Sequence, residues 1–203
     1  LWESGDASSG DQLVSIFLDR RLYKRAAGLL KQIIDTKGDN SHKSRAKRLE
    51  QIVHDWSMFE HNGGSFTLEQ KKYVSLVYRN AKSIKLTLQP VDVAAIHAEA
   101  WKYLKTNPAS LDWNKLQWHN LLHETVNGEM NNYLGDAVAE KEYTLKPRPG
   151  HWDTRAELEL PELEKAGAYL ITSELPNGKK TYTMIWIDDI LVVSRQLNGS
   201  TLF

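Results

Sequence analysis

His119 and His123 stand four residues apart in a stretch whose apolar residues, Leu116, Leu121 and Leu122, recur at helical spacing, with Glu124 beside the second histidine. That spacing sets both imidazoles on one helix face, as a zinc pair requires. The local sequence is HNLLHE, however. It has no Glu after the first His to serve as a base and no assigned third ligand, so an ordinary helix surface is the expectation. His97, with Glu99 and Trp101, reads as a partly buried helix face. Asp188-Asp189 offers two of the several oxygens that calcium needs, but the pair follows Trp186-Ile187 and reads as a strand bend. No Gly-x-Ser-x-Gly elbow occurs, and Gly63, Gly64, Gly128, Gly135, Gly150 and Gly167 are too scattered for a phosphate loop or a dinucleotide fingerprint. The expectation is therefore no enzyme, no catalytic residue, no cofactor and no bound metal.

Composition supports that reading. The 203 residues carry 26 Lys+Arg against 26 Asp+Glu, so a surface built for nucleic acid, which needs clustered cations, is not expected. Lys43, Arg45, Lys47 and Arg48 form one basic helix face, but no aromatics interleave with it, and it reads as a solvated surface. The absence of Cys excludes a disulfide scaffold, a thiolate metal site and a cysteine nucleophile. No apolar run approaches the roughly 18–20 residues of a membrane span. The first residues, LWESGDASSGDQ, do not form a signal peptide, and a start without Met suggests a piece of a longer chain.

Periodicity divides the elements that must position these residues. Three helical stripes come first: Leu13, Val14, Phe17 and Leu18; then Ala26, Leu29, Leu30, Ile33 and Ile34; then Leu49, Ile52, Val53 and Trp56. Asp11 is the expected cap of the first helix, Gly38 with Asn40 ends the second, and Ser41 or Ser44 starts the third. The run His61-Asn62-Gly63-Gly64-Ser65 breaks every period and is the expected domain boundary. Beyond it the period becomes two. Val74, Leu76 and Tyr78, then Ile84, Leu86 and Leu88, then Ala156, Leu158 and Leu160 alternate with polar residues, as in half-buried antiparallel strands. Strands over 168–172, 182–187 and 190–194 follow, the first two joined by a Pro176-Asn177-Gly178 turn, with Leu170 or its face partner Ala168 in the core. Helical stripes over 93–104 and 111–126 lie between the strand groups.

Two segments, VYRNAKSIKLTLQPVDV (77–93) and LELPELEKAGAYLITSELPNGKKTYTMIWIDDILVVSRQLNG (158–199), resemble the macroglobulin-like domain near the N-terminus of the bacterial alpha-2-macroglobulin family. The resemblance rests on Arg79-Asn80 before a strand ending Val91-Asp92-Val93, then Leu163 and Gly167-Ala168-Tyr169-Leu170, then Trp186 followed by an Asp. Ala26-Ala27 after Arg21-Leu22-Tyr23 is similar to a degenerate tetratricopeptide turn, with Arg21 where that motif has Gly. The resemblance implies an α+β chain: a helical segment over 1–62, then an antiparallel fibronectin-like (macroglobulin) β-sandwich over 65–203 with a helical insertion at about 93–134. It also implies a non-catalytic structural module of a protease-trapping inhibitor, periplasmic or exposed at the cell surface, whose partners are neighbouring domains of its own chain and target proteases. The family's Cys-Gly-Glu-Gln thioester is absent from these residues. Two other classes stay open: a tetratricopeptide-type protein-interaction adaptor, and a small metal enzyme built on His119 and His123.

Overall fold

The structure is a computed structural model that describes residues 7–36, 42–61, 63–112, 132–189, 195–197 and 200–202. Three helices open the chain: α1 (Ala7–Asp19), α2 (Tyr23–Thr36) and α3 (His42–Val53). They pack through the expected stripes, with Val14, Ala26, Leu30 and Ile33 wholly buried in one apolar cluster. Helix α1 ends in a Schellman arrangement, in which the Leu22 amide donates to the Phe17 carbonyl (2.7 Å) and the Arg21 amide to that of Leu18 (2.9 Å). This puts Arg21 in the left-handed region at φ 55°, a place where glycine is favoured because it has no Cβ to clash.

Asp11 is not the cap of α1. It lies inside the helix and accepts from Arg45 of α3, Nε to Oδ1 at 3.1 Å and Nη2 to Oδ2 at 2.7 Å. Arg45 is only 4% exposed, which corrects the solvated basic face: Lys43 and Lys47 are exposed, whereas Arg45 is an interior ion pair and Arg48 donates to Ser15 Oγ. The third helix stops at Val53, and Trp56, expected on its stripe, opens strand β1 (Trp56–Phe59) instead. Gly38, Asn40 and Ser41 lie outside the described residues, and Ser44 lies within α3.

The remaining elements are β2 (Gly64–Thr67), β3 (Tyr73–Arg79), β4 (Ser83–Val91), α4 (Val93–Leu104), β5 (Ala139–Thr144), β6 (Thr154–Glu159), β7 (Gly167–Glu174), β8 (Lys180–Asp188), β9 (Arg195–Leu197) and β10 (Ser200–Leu202). The chain is thus α+β. One sheet has the order β1-β3-β6 and a second the order β2-β8-β7-β4-β5, while β9 and β10 pair as a hairpin. Alternation sends Phe59, Leu76 and Tyr78 from the first sheet, and Ile84, Leu86, Leu88, Ile171, Ile185 and Ile187 from the second, into one shared core. Removing side chains of this size from water is worth about 1.5–3 kcal/mol each, so this core dominates over any surface ion pair.

The sheets are not wholly antiparallel, because β2 runs parallel to β8, pairing Gly64 with Ile185 and Thr67 with Asp188. The physical reason is that β1 and β2 belong to one stretch running beside β8, which leaves the first sheet and joins the second. Gly63 sits at the crossing with φ 137°, and a Cβ there would lie 2.9 Å from the Met184 carbonyl oxygen. The inward Thr183 hydroxyl donates to the His61 carbonyl at 3.0 Å, which keeps the crossing free of an unpaired buried group.

Asp92 caps α4 by accepting from the Ala95 amide at 2.9 Å. Ile96 of that helix packs with Val91, Ala168, Leu170 and Met184 on the outer face of the larger sheet. Strand β7 is therefore buried on both faces: Tyr169 and Ile171 face the shared core, and Ala168 and Leu170 lie beneath α4. This moves Leu170 from the expected intersheet core to the helix-covered side. Most of the expected helix over 111–126 and all of the strand over 190–194 lie outside the described residues.

Candidate functional site at the junction of helices and sheets

Four elements meet where the helices touch the smaller sheet. Arg79, at the end of β3 on its outward face, donates from Nε (2.9 Å) and Nη2 (2.7 Å) to Asp153 Oδ1. Its guanidinium lies 3.9 Å over the Tyr23 ring and 5.7 Å from that of Trp56. Tyr23 begins α2 and donates its hydroxyl to Asp153 Oδ2 at 3.2 Å, so a single carboxylate receives donors from both the helical and the sheet parts. Trp152 closes the side, its ring edge-on to Tyr23 with 6.4 Å between centroids.

The next residue, Asn80, turns β3 into β4 at φ 63°. Its Nδ2 donates to the Ile52 (2.9 Å) and His54 (3.0 Å) carbonyls, satisfying the C-terminal end of α3 from a strand turn. With Nδ2 spent as donor, Oδ1 accepts from His151 Nδ1 at 2.8 Å. Asn177, in the β7–β8 turn, donates from Nδ2 to the Asp55 carbonyl at 2.9 Å. Among the described residues four non-glycine positions have positive φ, and three of them, Arg21, Asn80 and His151, surround this junction. Such conformations cost about 1–3 kcal/mol each and persist only where the surroundings enforce them.

Electrostatics keep the junction's donors protonated where they must donate. Burial pushes the Tyr23 hydroxyl above its ordinary value; Arg79 opposes this and Asp153 adds to it, so the phenol is a donor at neutral pH. Burial, then the charges of Arg79 and Lys31, holds His151 below the usual imidazole range, leaving it neutral with one proton for Asn80. Asp153 accepts from Arg79 and from Tyr23 at once. The arrangement is a mechanical joint that fixes the helices against the smaller sheet.

Of the chemistry-bearing residues of the sequence reading, those among the described residues, His97, Glu99, Asp188 and Asp189, do not enter this joint. His119, His123 and Glu124 lie outside the described residues. His97 and Glu99 are exposed on α4 and Trp101 is 59% exposed, which corrects the expected partly buried face; Ile96 and Ala100 turn inward instead. Asp188 ends β8, and both it and Asp189 are exposed. Among the described residues no group of three or more His, Asp or Glu side chains is placed to hold a metal, and no helix is long and apolar enough to cross a membrane. Sequence reasoning missed Tyr23, His151, Trp152, Asp153 and Asn177. The available signal was Pro149-Gly150-His151-Trp152-Asp153, a turn sequence carrying an aromatic and a carboxylate.

No family model matches the chain, and no curated protein matches it. Among solved structures it is similar to native alpha-2-macroglobulin from Escherichia coli. A crystal structure spanning domains NIE-MG1 aligns at 16% identity over 71% of this chain and 65% of that one, with a TM-score of 0.43. A crystal structure spanning domains MG0-NIE-MG1 aligns at 14% identity over 72% of this chain and 43% of that one, with a TM-score of 0.40. A cryo-EM reconstruction of the native conformation aligns at 16% identity over 67% of this chain and 8% of that one, with a TM-score of 0.41. The chain thus spans about two thirds of the shortest of these and a small part of the longest.

Proposed function

We propose that the chain is a non-catalytic structural module of a large alpha-2-macroglobulin-like, protease-trapping protein. In this reading the helical segment of about 1–62 leads into a macroglobulin-like β-sandwich of about 65–203 with a helical insertion at about 93–134, whose first helix, α4, lies on one face, and β1 ties the two parts together. The observation that carries it is the use made of the residues on which the sequence resemblance rests. Arg79 and Asn80 lock the helices to the sheet, Asp92 caps the inserted helix, and Leu163, Ala168, Tyr169 and Leu170 are buried. A body whose cores do no chemistry leaves its loops and edges for neighbouring domains. Its partners are then those domains and the trapped protease, in the periplasm or at the cell surface.

The test uses the parent protein. Incubated with a protease, it should shield a protein substrate from digestion while small peptide substrates are still cleaved, and the 203-residue chain alone should do neither. A parent protein that leaves the protease free to digest proteins overturns the trapping role.

A further inference from the structure

We propose that the groove between the start of β1 and the start of β8 is a docking site for an acidic polypeptide segment with interspersed apolar side chains. The groove, about 540 Å³, is lined by Gln51 of α3, Trp56 and Ser57 of β1, Arg79 of β3, and Lys179, Lys180 and Thr181 at the start of β8. Among the described residues three cations line it and no carboxylate does. Arg79 is anchored by Asp153, and Lys180 reaches Glu174 only at 3.4 Å across an exposed pair, so Lys179 and Lys180 keep most of their charge available to a partner. Cations held along a concave wall concentrate negative segments by charge complementarity, while a rim Lys governs their capture and its salt dependence.

The apolar half of the partner follows from the register. Trp56 stands opposite Arg79, and Met58 opposite Val77, on the outward face of the smaller sheet. Met58 is 50% exposed and Tyr73, further along β3 on the same face, is 42% exposed. The outer face of the larger sheet is covered by α4, whereas on the smaller sheet Trp56, Met58 and Val77 form a small apolar patch beside the basic groove, separated from Tyr73 by Ser75 and bordered by Arg155 and Glu157 of β6. A chain alternating carboxylates with apolar side chains satisfies both: acids toward Lys179 and Lys180, apolar groups over Met58 and Val77. This inference is independent of the trapping role.

The test is fluorescence anisotropy on the full 203-residue chain with a short fluorescein-labelled peptide of alternating Glu and Leu, against a Lys–Leu counterpart. The acidic peptide should bind saturably and weaken as salt rises. The Lys179→Glu, Lys180→Glu double variant should lose about tenfold or more in affinity, and Met58→Ser should weaken binding with its salt slope unchanged. Both lysines and Met58 are exposed, and melting curves of the variants check that the fold is kept. Three results overturn the proposal: equal binding of the Lys–Leu peptide, affinity unchanged by the charge reversals, or displacement by inorganic phosphate at concentrations that mark the groove as a small-anion site.

Discussion

Replacing Asp153 by Ala tests whether the junction holds helices and sheets together. The substitution removes two charge-assisted hydrogen bonds from Arg79 and one from the Tyr23 hydroxyl, and it leaves a guanidinium whose side chain is 12% exposed without its anion. An exposed pair would cost about 0–1 kcal/mol and a fully buried one about 3–5. Asp153 is 28% exposed, and the guanidinium keeps its stacking on Tyr23, so the expected loss lies between these limits, at about 2 kcal/mol. For a chain of this length that lowers Tm by about 4–8 °C. Asp153→Asn keeps the shape and one acceptor and should lose about half as much. The assay pairs thermal melting with amide exchange. Because Asp153 serves both parts, exchange in α2 and α3 should speed up more than exchange in β7 and β8. A double-mutant cycle with Tyr23→Phe should show coupling of about 0.5–1 kcal/mol through the shared carboxylate. An Asp153→Ala protein within about 0.5 kcal/mol of the parent, with no coupling to Tyr23, would refute the joint and make these contacts surface decoration.

Three further outcomes follow from single positions. Gly63→Ala puts a Cβ 2.9 Å from the Met184 carbonyl at φ 137° and should cost about 2–3 kcal/mol in denaturant unfolding, whereas Gly178→Ala, with open space around it, should cost only the left-handed penalty of about 1 kcal/mol. Arg21→Gly should stabilise by about 0.5–1 kcal/mol, since it relieves a left-handed residue with an exposed side chain; no rise in Tm would count against the Schellman assignment. His151 has a folded-state pKa below 6.5, so the unfolded chain binds its proton more readily. Its contribution is complete above about pH 6.5 and is lost as pH falls below that toward the folded value, and His151→Asn, which tolerates the same φ, should flatten Tm against pH in that window.

Much of the sheet was legible because alternation is local. Strands β3, β4, β6, β7 and β8 announce themselves by inward Val74, Leu86, Leu158, Ile171 and Ile185. Strands β1 and β2 are four residues each, too short for a period to emerge, and Trp56 continues the spacing of the preceding helix by coincidence of register. Strand β5 was hidden for a different reason. At a sheet edge its Glu140, Lys141 and Glu142 are all exposed, and its inward Tyr143 is nearly the whole of its pattern; burial and the Glu159 charge push that phenol up to about 12 while its hydroxyl donates to the Glu159 carbonyl. The joint was illegible because its partners are far apart in sequence: Asp153 is reached by Arg79 across 74 residues and by Tyr23 across 130. Arg45 misled for the same reason, since a cation's burial depends on an Asp 34 residues away that helix rules assign to a cap.

The parallel pairing of β2 with β8 also sets an order of events during synthesis. The His61 carbonyl and the Thr183 hydroxyl are 122 residues apart, as are Asp55 and Asn177. Closing so long a loop carries a large entropic penalty that only contacts already in place can offset. Helices α1, α2 and α3 pair with near neighbours in sequence and β1 pairs with β3 soon after it, so these can form as the chain emerges, but β2 must wait with its edge unsatisfied until β8 has left the ribosome. For that interval the crossing at Gly63 has nothing to cross to, and chains halted before residue 180 should expose strand edges that a chaperone would bind.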